Sequence, residues 1–162
     1  MRGSDEETRY EAVMNNKRTG NKGEDAAAIA LRSLGVRCVA KIATPHRRIN
    51  VPPYIVYDEK VAGDHHGILP NGIGVLAESK TVSGDRLNCS ELKLHQHKAL
   101  QEWEDNDGLA LVVWVSDYGV FTMQYYVAVN HGLRFGSSIT AKDAQSADAL
   151  TRRNVDSYEV QD

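Results

Sequence analysis

Three residues near the middle of the chain have the types and spacing that hydrolytic chemistry uses: Asp64, Glu78 and Lys80. Between them stands Pro70-Asn71-Gly72, and Asn-Gly flanked by apolar runs is a strong short-range hairpin signal. A turn centred there opposes residues whose numbers sum to about 141 to 143, which sets Asp64 beside Ala77 to Ser79. Side chains alternate along a strand, so Glu78 and Lys80 share a face and Ser79 points away. Two carboxylates and an ammonium then converge. Hard oxygen ligands suit Mg²⁺, with Mn²⁺ able to substitute, because these ions take a few carboxylates and leave other positions to water and phosphate. A lysine buried beside two acids is a costly structural element, whereas beside a metal-bound water it can position or help deprotonate the nucleophile.

These residues need a scaffold. From Gly23 the sequence Glu24-Asp25-Ala26-Ala27-Ala28-Ile29-Ala30-Leu31-Arg32-Ser33-Leu34-Gly35 is rich in helix formers and ends on a glycine suited to close a helix. Ala27, Ala30, Leu31 and Leu34 share its inner face, and Glu24 falls in its first turn. Val36 to Ala43 is a strand candidate, with Cys38 read as core. The segment 44–60, with Pro45, Pro52 and Pro53, reads as a connector or projecting ribbon whose strand-like stretch is Tyr54 to Tyr57. Ser90 to Asn106 reads as a helix, and Leu109 to Ser116 as a strand buried on both faces. Gly119 to Val129 reads as a further strand, and Thr140 to Ala149 as a short helix. Trp103 and Trp114 are expected in the core. This order predicts an α/β domain with a mixed central sheet flanked by helices. It divides the chain into a basic arm at 1–22, a domain at 23–150 and a polar tail at 151–162.

Composition narrows the function. No apolar run reaches the length of a membrane span, and the N-terminal residues lack the basic-then-apolar layout of a secretory signal, so a cytoplasmic protein without membrane contacts is expected. Cys38 and Cys89 form no CxxC pair and suggest neither a disulfide framework nor a zinc ribbon. The net charge of −3 argues against a protein that merely coats nucleic acid. Its distribution is uneven: from Met14 to Arg48, eight basic residues face two acidic ones.

Four segments together resemble a known family: Asn21-Lys22-Gly23-Glu24, Gly63-Asp64-His65-His66-Gly67, Ala77-Glu78-Ser79-Lys80-Thr81 and Leu94-His95-Gln96. In this order they are similar to the PD-(D/E)XK nuclease superfamily, with its restriction-endonuclease-like fold, and more narrowly to RecU-type Holliday junction resolvases. The resemblance implies a metal-dependent endodeoxyribonuclease acting on four-way junctions as a homodimer. It implies that Asp64, Glu78 and the Ser79 carbonyl bind Mg²⁺, that Lys80 serves the attacking water, that Glu24 joins through water or hydrogen bonds, and that Gln96 steadies the acidic cluster. Lys17, Arg18, Lys22, Arg47 and Arg48 are the expected DNA contacts. The sequence departs from the resolvases where Ala62-Gly63 replaces the usual hydroxyl residues and where the ribbon is short for a junction-inserting stalk. A restriction-like or repair endonuclease is the alternative within the enzyme class, and a catalytically silent DNA-binding module on the same fold is the alternative outside it.

Overall fold

The computed structural model describes residues 22–43, 46–48, 55–57 and 63–148, the two short segments 46–48 and 55–57 by their backbone. Helix α1 spans residues 22–33. It buries Ala27 and Leu31, with Ala30 and Leu34 packed beside them, as the spacing of its apolar residues requires. Strand β1 (Arg37–Lys41) follows. Strands β2 (His46–Arg48) and β3 (Ile55–Tyr57) pair antiparallel, the first of them a strand that its polar sequence did not announce.

Strands β4 (His65–Ile68) and β5 (Gly74–Thr81) form the expected hairpin. His65 pairs with Ala77 and Gly67 with Val75, the register read from the turn. Leu69 accepts from Gly72 N at 2.9 Å, and Gly72 takes a φ of +91°, the left-handed residue that closes a three-residue hairpin loop.

After β6 (Arg86–Asn88) and a 3₁₀ turn at Cys89–Glu91, helix α2 runs Leu94–Asp105. Strand β7 (Leu109–Ser116) pairs parallel with β5 and antiparallel with β8 (Gly119–Gln124). The expected long strand through Val129 instead ends at Gln124, and helix α3 (Tyr125–His131) begins there. Short apolar runs do not distinguish helix from strand; here burial of Tyr125, Val127 and Ala128 at helical spacing decides it. Strand β9 (Ser138–Thr140) pairs with β6, and helix α4 occupies residues 141–148.

The five-stranded sheet has the order β1-β4-β5-β7-β8 and is mixed, as expected for this α/β class. One core lies between α1 and the sheet, built on Val75, Ala77, Leu109, Leu111 and Val113. The other covers the opposite face with Leu76, Leu100, Val112, Trp114 and Ile139. β7 is therefore apolar on both sides, and Trp114 is fully buried. Two expectations fail locally. Cys38 is exposed, because β1 carries a bulge between Arg37 and Ala40, with Cys38 at a φ of +52°, and the face alternation is reset there. Trp103 is partly exposed, its Nε1 donating to Gly74 O at 3.0 Å, since it sits over the sheet's margin rather than within it.

Candidate active site

The site lies where β4 enters the sheet beside β5, between the first turns of α1 and α2. Glu78 is 1% exposed, although it is a carboxylate in a strand. Burial pushes its carboxyl above the usual range, and Asp64 nearby adds to that. Lys80 Nζ, 2.7 Å from Glu78 Oε1, works in the opposite direction. The two residues share a face as strand alternation requires.

Glu78 is held from three sides. Gly63 N donates to Glu78 Oε2 at 3.0 Å. Gln96 Nε2 donates to Oε1, while Gln96 Oε1 accepts from Lys93 N at 2.8 Å. Gln96 thus uses its amide oxygen to cap α2 and its amide nitrogen to reach the carboxylate, which fixes the orientation of the amide. α2 is itself anchored by His97, whose Nδ1 lies 3.0 Å from the Tyr125 hydroxyl and whose Nε2 lies 3.2 Å from Cys89 O.

Asp64 precedes β4 and reaches across to Ser79. Its Oδ2 accepts from Ser79 N and from Ser79 Oγ, both at 2.8 Å, and its Oδ1 stands outside those two bonds. Alternation correctly turns Ser79 away from Glu78, but it does not reveal that Asp64, ahead of the paired register, bends toward the Ser79 hydroxyl.

Glu24 sits in the first turn of α1, and its carboxylate is ion-paired with Lys41. Gly23 brings this turn against the sheet, since a Cβ there would lie 2.2 Å from Thr81 Oγ1. Next to Asp64, His65 is 3% exposed. Burial pushes its imidazole below the usual range, outweighing the pull of Asp64 and Glu24.

The structure thus brings together Asp64, Glu78, Ser79, Lys80 and Gln96, with Glu24 joined to Lys41 alongside. Lys22 is exposed at the start of α1, Arg47 and Arg48 lie on β2, and Lys17 and Arg18 fall outside the described residues. Sequence reasoning missed Gly63 and the Ser79 side chain as groups that position the carboxylates. The Gly63 backbone takes a φ of +82°, and a Cβ there would come 2.4 Å from Leu76 Cδ1. Glycine in place of a hydroxyl residue before the aspartate therefore has a local reason.

The donor set suits a hard divalent cation. Among the described residues no three His, Cys, Asp or Glu side chains cluster as ligands. Two carboxylates, Glu78 on β5 and Asp64 just ahead of β4, fit an ion that keeps much of its coordination for water and phosphate. A buried Glu78 with a raised pKa is a carboxylate whose charge a bound cation would compensate.

No family model and no curated protein sequence matches the chain. Among solved structures it is similar to Hjc, a Holliday junction resolvase from the archaeal hyperthermophile Archaeoglobus fulgidus, with a TM-score of 0.52 and 12% identity over 78% of this chain and 92% of Hjc. At that identity the likeness is one of fold: a mixed sheet flanked by helices.

Proposed function

We propose that this protein is a Mg²⁺-dependent endodeoxyribonuclease of the PD-(D/E)XK kind that acts on branched DNA, with the four-way junction as its substrate. The carrying observation is the junction of Asp64, Glu78 and Lys80, with Glu78 buried and held by Gly63 and Gln96. The Hjc-like fold supports the same reading, and the RecU-like motifs favour junctions over linear duplex.

Asp64, Glu78 and the Ser79 carbonyl would hold the ion. When bound, Mg²⁺ supplies a Lewis acid that offsets charge on the phosphate and eases deprotonation of water. Ser79 N and Oγ fix Asp64 Oδ2, so that Oδ1 is directed by two anchored bonds. Lys80 Nζ, at the mouth of the buried carboxylate, orients the attacking water and stabilises negative charge as it develops. Lys17, Arg18, Lys22, Arg47 and Arg48 bind the DNA arms. A twofold homodimer, acting in the cytoplasm, supplies one site for each of two opposed strands.

The test uses an end-labelled four-way junction and a linear duplex of the same arm sequence, each with Mg²⁺. Symmetrically placed nicks in the junction, from a species of twice the chain mass by light scattering, are the expected result. Equal cutting of linear duplex by a monomer would remove the resolvase and leave a repair or restriction-like endonuclease. Binding to both without cleavage would identify a silent module.

A further inference from the structure

A cavity of about 570 Å³ lies on the α1 side of the sheet, its polar lining formed by Glu24, Asp25, Arg32, Lys41 and His65 and the rest by apolar residues of α1 and β1. His65, on its wall, feels the charges of both Asp64 and Glu24, so the cavity neighbours the Asp64 side of the candidate site. Its charge is not symmetric along its length. At the Glu24 end, Lys41 is paired with the Glu24 carboxylate and Asp25 adds a second acid, so the anion-binding end of the cavity is the other one. Two turns further along α1, Arg32 lines the same cavity and is exposed, in no ion pair with another described residue. The cavity wall also contains a buried polar group: His65 is 3% exposed, and its Nδ1 has no hydrogen-bond partner. Buried ring nitrogens are normally satisfied, so this wall has polar capacity that the fold itself does not use.

We propose that this cavity is a phosphate subsite of the nuclease, holding the backbone of the bound DNA strand one or more phosphates away from the cleaved bond. Arg32 supplies the principal contact, since a guanidinium presents a planar fork to phosphate oxygens. Lys41 supports it from the catalytic side, where it also holds Glu24. The inference rests on the nuclease reading, and it assigns Arg32 and Lys41, outside the basic arm and the ribbon, to strand positioning.

The probe is a fluorescently labelled four-way junction, titrated by anisotropy over a series of NaCl concentrations without divalent metal, so that binding is read without cleavage. Arg32→Gln keeps a good helix former at an exposed position and removes one charge. It should lower the slope of log K against log salt by about 0.9, the value for one lost phosphate contact. Lys142→Gln, on remote α4, removes the same charge and should leave the slope unchanged. An unchanged slope for Arg32→Gln, or an equal change for both variants, overturns the subsite while the nuclease assignment stands. Competition by millimolar inorganic phosphate with no effect of Arg32→Gln on junction binding also overturns it, since the cavity would then take free anion rather than DNA. Failure of the unsubstituted protein to bind the junction removes the nuclease reading together with the subsite.

Discussion

Gln96 donates its side-chain amide to the buried carboxylate of Glu78 and accepts the Lys93 N–H with the same side chain. One residue therefore closes the first turn of α2 and sets the position of the carboxylate proposed as a metal ligand. Gln96→Glu keeps the capping oxygen but puts a second carboxylate against Glu78, and like charges in a buried site are expensive. The expected outcome is a loss of turnover of at least about 100-fold, greater than that of Gln96→Ala, because repulsion is added to the lost bond. Single-turnover cleavage rates of the two variants check the order.

Ser79 should matter through its hydroxyl. Ser79→Ala removes one of the two bonds to Asp64 Oδ2 and keeps the backbone one. A second bond of this kind typically supports a metal ligand by 10- to 100-fold, so the rate should fall about tenfold while junction affinity holds. Titration of activity with Mg²⁺ should show a raised half-saturating concentration, which a merely structural serine would not produce.

Gly63 is constrained by both conformation and space. Gly63→Ala places a Cβ against Leu76 at a positive φ, and strain with overpacking costs about 1–3 kcal/mol. Urea denaturation should show a lower midpoint with an unchanged slope. A neutral result would contradict the backbone geometry that delivers the Gly63 N–H to Glu78.

The raised pKa of Glu78 has a signed consequence for stability. Between the ordinary glutamate range and the raised folded value, the folded protein retains a proton that the unfolded chain has lost. Stability is therefore highest on the acid side of that window and falls as pH rises through it. Without divalent metal, thermal melts across this window should show that decline, and Glu78→Gln should flatten it. A decline of the same size in Glu78→Gln would assign it to other groups.

Much of this was legible in the sequence because it depends on local rules. The hairpin register followed from Pro70-Asn71-Gly72, the Glu78 and Lys80 pairing from alternation, and the inner face of α1 from the spacing of Ala27 and Leu31. The parts that escaped depend on tertiary geometry. The bulge at Cys38 resets the facing of β1, α3 replaces the end of a strand because Tyr125 and Ala128, three residues apart, share a buried face, and the short strands β6 and β9 are stabilised by each other. At the site, the contacts of Gly63 are made by backbone and those of Ser79 by a side chain reached from outside the paired register. No residue pattern signals either.

If Asp64 and Glu78 together hold the metal that drives cleavage, single-turnover cleavage of a four-way junction with saturating Mg²⁺ must collapse in both Asp64→Ala and Glu78→Ala. Each variant should lose at least about 100-fold in rate while binding the junction nearly as well as the unsubstituted protein. Near-normal cleavage by either variant would mean that its carboxylate does not hold the metal.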